Sequence, residues 1–217
     1  MQILLPIHIL AGSIALLCAA LAVSSMKGKR LHVTSGKVYF WSMVAIFMTA
    51  LPMSIIKSDI FLLLISIFSF YLAFAGMRFA RNRKGIATTL DWIAVSLMIL
   101  SGLGMWILAA IYFTNDNSQY IVLLVFGFLA VFLGYGDYKS HKDKTATGKE
   151  RIAKHLTNMM GGTIAVITAV LVVNVDIEPV WIWWVLPTAL IVPVIFWWNA
   201  RVLNEVTQKL HKNNKMS

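Results

Sequence analysis

A chain of 217 residues that is 59% apolar, 13% charged and carries one cysteine has no room for a soluble domain beside its apolar stretches. It also excludes an intrachain disulfide and a thiolate metal cluster. A formal net charge of +10 would suggest nucleic acid in a soluble protein; on a chain this apolar it points to anionic lipid headgroups, and no nucleic-acid binding is expected.

Seven apolar stretches follow one another, at roughly 3–24, 37–56, 59–80, 91–113, 119–136, 152–174 and 179–198. Each is close to the ~20 residues that a helix needs to cross ~30 Å of hydrocarbon. The expected fold is therefore all-α, a seven-helix transmembrane bundle forming one domain over 1–198, with a short basic tail over 199–217. The first stretch has no basic leader, and Leu16-Leu17 precedes Cys18, so it reads as a retained helix rather than a signal peptide.

The gaps alternate in charge. The first holds Lys27, Lys29, Arg30 and Lys37, and the third Arg78, Arg81, Arg83 and Lys84. The fifth holds Lys139, Lys142, Lys144, Lys149, Arg151 and Lys154, and the tail Arg201, Lys209, Lys212 and Lys215. Only Lys57 falls elsewhere; the opposite gaps carry Asp59, Asp116, Asp176 and Glu178. The positive-inside rule then puts the N-terminus outside and the C-terminus in the cytoplasm, in the cytoplasmic (inner) membrane. Trp181, Trp183 and Trp184 open the last span and Trp197 and Trp198 close it, an interfacial aromatic belt about 26 Å tall at the helical rise.

Ser101-Gly102-Leu103-Gly104, Gly127, Gly134, Gly136, Gly161 and Gly162 supply small faces for helix packing, within one chain or across a homodimer. Pro187 and Pro193 are expected to bend the seventh helix. That helix has no lysine for a retinal Schiff base, no Gly-x-x-x-x-Gly-Lys loop exists for nucleotide, and no Asp or Glu lies mid-membrane for an ion pump.

Ionisable residues within lipid are costly, so chemistry is sought there. His8 lies near the outer surface, whereas His32, Arg78, Asp91, Asp137 and His155 stand at the inner ends of spans, where they are able to converge. His8 and His32 each begin a His-x-x-x-Gly unit, ending at Gly12 and Gly36; on a helix, the glycine lets a flat ligand approach beside the imidazole. Met159 follows His155 by one turn and is an alternative ligand. Each histidine has a plainer reading, an interfacial side chain bonded to a backbone carbonyl, and His141 and His211 read as solvated. Asp91 suits the cap of the fourth helix. Asp137 ends the fifth at the wrong pole of the dipole and calls for Arg151, Lys154 or Arg78 as partner.

The motifs His8-Ile-x-Ala-Gly12, Leu31-His32-x-x-x-Gly36-Lys37-Val-Tyr39, Asp91-Trp92 and Lys154-His155-Leu-x-Asn-Met159-x-Gly161, with Trp184-x-x-Pro187-Thr188, run through nearly the whole chain. Together they resemble an uncharacterised bacterial family of predicted multi-pass membrane proteins, a domain of unknown function. The resemblance carries no activity across. It implies that His8, His32, Asp137, His155, Met159 and Asn174 are motif positions.

Three functions follow as expectations. One is binding of haem b or a quinone for electron transfer or respiratory-enzyme maturation, with a respiratory complex as a candidate partner: His32 and His155 would be ligands, Asp137 and Arg78 a carboxylate–guanidinium pair or propionate partners, and His8 an outer contact. Another is a zinc-dependent lipid hydrolase using His32, His155 and Asp137 or Asp91. The third is a non-catalytic transporter or assembly factor.

Overall fold

The computed structural model describes the backbone of residues 1–214 and the side chains of residues 1–204. The side chains of Lys209, His211 and Lys212, and all of Lys215, lie outside the described residues. Seven helices follow in order: α1 (Leu4–Ser24), α2 (Arg30–Ile56), α3 (Ile60–Arg81), α4 (Thr89–Thr114), α5 (Tyr120–Lys142), α6 (Gly148–Asn174) and α7 (Trp181–Asn214). All seven are long and apolar enough to cross a membrane, as expected from the hydropathy of the chain.

Helices α1 and α2 form one antiparallel hairpin and α4 and α5 another; α3 packs against α2, α4 and α6, and α6 reaches α7 and α1. The larger core cluster joins Phe68, Tyr71 and Leu72 of α3 to Met98 and Met105 of α4 and Phe126 of α5. A smaller one joins Ala15 and Ala19 of α1 to Tyr39 and Met43 of α2, Ala73 of α3 and Val166 of α6.

Small residues set the approach distances, because lipid offers no hydrophobic drive to push helices together. A Cβ added at Gly102 of α4 would lie 2.8 Å from the Ala130 Cβ and 3.0 Å from the Gly127 carbonyl oxygen, and one at Gly127 would lie 2.7 Å from the Trp106 ring. The two backbones therefore touch where a side chain would hold them apart.

Several helices continue past their apolar stretches at the basic end. Helix α2 starts at Arg30 rather than near 37, α5 runs to Lys142 and α6 starts at Gly148, so His32, His141 and His155 all lie on helices. His141, read as solvated from the sequence, is instead buried, stacked on Phe79 at 5.3 Å between ring centres with Trp92 edge-on at 5.8 Å. The extra helical turn carries it back onto the bundle.

Helix ends at this face are closed by neighbouring cations. Arg151 of α6 donates to the Phe79 and Ala80 carbonyls at the end of α3. Lys27 donates to the Ala22 carbonyl in the last turn of α1 and to the Ser25 carbonyl just past it, both at 3.1 Å, and sits 4.8 Å from the centre of the Trp198 ring. Each cation meets the negative pole of a helix dipole. At the far end of α3, Asp59 caps the helix by accepting from the Leu62 backbone N–H at 2.9 Å.

Gly127→Val should lower stability in detergent by about 1–3 kcal/mol, the usual cost of overpacking. Gly12→Ala, where a Cβ meets nothing within 4 Å, should leave the melting temperature unchanged or raise it.

Candidate functional site

The polar residues of the basic end separate into two ion-pair groups and one histidine pair. In the first ion-pair group, Arg78 of α3 meets Asp91 of α4 with two bonds, Nε to Oδ1 at 2.6 Å and Nη2 to Oδ2 at 2.7 Å. Asp91 Oδ2 also accepts from the Thr88 backbone N–H and hydroxyl, at 2.7 and 2.8 Å. The carboxylate thus reaches back over the start of α4, where the dipole favours it.

The second group surrounds Asp137 of α5, which is 2% exposed. Lys154 Nζ donates to its Oδ1 at 2.9 Å; Tyr71 Oη and Asn158 Nδ2 donate to its Oδ2 at 2.8 and 3.3 Å. The partner of Asp137 is therefore Lys154, one of the three cations the sequence offered. The proposed Asp137–Arg78 pair is not formed: Arg78 faces the start of α4, whereas Asp137 faces α6. Arg78 is held by Asp91 and is not free for a propionate.

His32 of α2 and His155 of α6 are brought together. Their ring centres lie 6.3 Å apart with the planes perpendicular. His32 Nδ1 is 3.0 Å from the Ala22 carbonyl oxygen and His155 Nδ1 is 2.8 Å from the Gly76 carbonyl oxygen. A carbonyl only accepts, so both Nδ1 atoms carry the proton, and in neutral rings both Nε2 atoms keep a free lone pair. This anchoring is what the plainer reading expects of each ring singly. It is also how ligating imidazoles are oriented, with one nitrogen tied down and the other presented.

The zinc set His32, His155, Asp137 and Asp91 does not assemble. Among the described residues no three His, Cys, Asp or Glu side chains are grouped to hold a metal, because both aspartates are tied into their own ion pairs. Met159 packs against Gly76, where an added Cβ would lie 2.7 Å from its Cγ and Sδ; it wedges α6 onto α3 beside the His155 anchor. Asn174 is exposed, its Nδ2 donating to the Val170 carbonyl at 2.7 Å.

His8 stands apart, near the opposite end of the bundle. Thr49 Oγ1 sends its proton back to the Ala45 or Ile46 carbonyl, at 2.8 and 2.9 Å, and so accepts from His8 Nδ1–H at 2.9 Å. His8 lines a cavity of about 1140 Å³, as do Asp137, Lys154 and Asn158 at the basic end. Neither His32 nor His155 lines it.

Sequence reasoning did not single out Tyr71, Thr168, Thr188 or Asn199 as part of any site. The one available signal was that each is a polar group within or at the edge of an apolar span, which lipid makes costly. No family model matches the chain, and neither does any curated protein or solved structure.

A double-mutant cycle over Asp137→Asn and Lys154→Met should show a coupling of at least ~1 kcal/mol. Asp137→Asn alone is expected to be the costlier single change, since it strands an ammonium that is only a quarter exposed. Chemical unfolding in mixed micelles reads both.

Proposed function

We propose that this integral membrane protein binds a b-type haem between α2 and α6 at the basic end, with His32 and His155 as axial ligands, in the service of electron transfer or respiratory-enzyme maturation. The observation that carries the reading is the histidine pair. Two imidazoles bound on opposite sides of one metal through bonds of about 2 Å hold their ring centres roughly 6 Å apart; these stand at 6.3 Å. Both present Nε2, and both are fixed through Nδ1 to backbone carbonyls of other helical segments.

The surroundings suit a flat, apolar, anion-bearing group. Helices α2 and α6 meet through side chains rather than backbone packing: α2 packs on α1 and α3, and α6 on α3 and α7. A Cβ at Gly36, one turn from His32, would meet nothing within 4 Å, which leaves room beside the imidazole. Arg151, whose Nη1 closes the end of α3, would offer its remaining guanidinium N–H groups to a propionate. Haem supplies one-electron chemistry, and the protein's part is to fix the ligands, raise their basicity through the Nδ1–H bonds and limit water.

In this reading the basic end is cytoplasmic, and its exposed lysines and arginines also meet anionic headgroups. Zinc hydrolysis is less well served, since two imidazoles without a carboxylate leave zinc short of the three protein ligands usual in catalytic sites.

Detergent-purified protein reconstituted with haem should show a Soret band with a low-spin, six-coordinate spectrum at about one haem per chain. His32→Ala and His155→Ala should each lower stoichiometric haem at least tenfold, while His8→Ala should retain it. A colourless wild-type sample, or stoichiometric zinc in its place, overturns the reading.

A further inference from the structure

We propose that the cavity beside α6 is a separate site for a long-tailed quinol, and that it takes the reduced molecule in preference to its oxidised quinone. The site uses none of the haem ligands, so it stands or falls independently of the haem reading.

Shape speaks for a long apolar tail. The volume of about 1140 Å³ is at or above the top of the usual range for small-molecule sites. Its wall follows α6 from Lys154 to Asn174, a rise of about 30 Å, the thickness of the hydrocarbon layer.

Polarity speaks for a hydroxyl-bearing head. Among the described residues five side-chain atoms are buried without a partner: Tyr39 Oη, Asn158 Oδ1, Thr168 Oγ1, Thr188 Oγ1 and Asn199 Oδ1. All but Tyr39 line this cavity, and Asn158, Thr168 and Thr188 are only 1%, 2% and 7% exposed. Other hydroxyls in the spans, including Ser54, Ser66 and Ser69 on the wall of this same cavity, and Thr163, return to carbonyls of their own helix, the usual way to hide a hydroxyl in lipid. Thr168 and Thr188 do not. Leaving such groups unpaired is expensive unless a ligand meets them.

The direction of the missing bonds is set at Asn158. Its Nδ2 donates to the Asp137 carboxylate at 3.3 Å and to the Lys154 carbonyl at 3.0 Å. Both of these are acceptors, so the amide cannot be turned over, and Oδ1 is left as an acceptor in search of a donor. Lys154 is already neutralised by Asp137, so among the described residues that line this end no unpaired cation is offered to a phosphate. A neutral head with O–H donors and a long apolar tail satisfies all three conditions. A quinol has two such donors, whereas its quinone has only carbonyl oxygens and would face Asn158 Oδ1 lone pair to lone pair. The difference in affinity would shift a bound couple toward the reduced form.

Anaerobic equilibrium binding to detergent-purified full-length protein without added haem tests this, with decylubiquinol, decylubiquinone, dioleoylglycerol and dioleoyl phosphatidylglycerol as probes. Decylubiquinol should bind at least tenfold tighter than decylubiquinone. Thr168→Val, which keeps shape, removes the hydroxyl and stands about 15 Å along α6 from Asn158, should leave the preference for the quinol unchanged. Asn158→Leu should abolish the preference; if it does not fold, the ratio of quinol to quinone affinity of the unsubstituted protein carries the test. Equal affinity for the two redox forms, binding of either lipid in place of the quinol, or no binding by any probe overturns the proposal.

Discussion

Helix α6 lies flush on α3 because each gives the other a small residue to fill. Met159 of α6 enters the space left by Gly76, and Leu72 of α3 lies 3.3 Å from where a Cβ of Gly161 would stand. The polar contacts of the basic end hang on that seam. The carbonyl of Gly76, the residue against which Met159 packs, is the one that anchors His155, and Arg151 reaches across to close the end of α3. Tyr71 and Lys154, one from each helix, grip Asp137 from two sides. Separate these helices and the histidine pair, the buried carboxylate and one wall of the cavity lose their support together.

Charge in the bundle is handled by pairing within it rather than by exposure. Asp91 and Asp137 are each almost wholly buried, each with its own cation and with hydroxyl donors on the remaining lone pairs. In a low dielectric such a pair is tolerable only when complete, since either partner alone is a buried unpaired charge. The two pairs therefore act as fixed posts, which is why neither aspartate is free to join His32 and His155. The histidines stay outside both pairs, each tied through Nδ1 to a backbone carbonyl, and the cavity keeps polar atoms without a partner in its wall.

Much of the fold was legible in the chain. Hydropathy is a local, additive property, so the seven stretches and the alternation of basic and acidic gaps needed no tertiary information, and Asp91 was readable as a partner for the start of α4, although the N-cap itself is Thr88 and Asp91 reaches back to it from the first turn. Helix ends were less legible. The starts of α2 and α6 and the end of α5 contain charged residues that hydropathy assigns to loops, yet these turns stay helical because Lys154, His141 and His155 find partners on the bundle. His141 was misplaced for that reason: aromatic neighbours on α3 and α4, distant in sequence, bury it.

By itself, then, the sequence determined the number of helices and which end of the bundle is basic, because each of these depends on composition summed along the chain. Only the tertiary structure decided that Arg78 belongs to Asp91 and Lys154 to Asp137, that His32 and His155 stand opposite one another, and that Asn158, Thr168, Thr188 and Asn199 keep unpaired polar atoms beside one cavity. Those outcomes depend on which helix lies against which and at what rotation, and that is set by the fit of small residues to large ones across helices far apart in sequence.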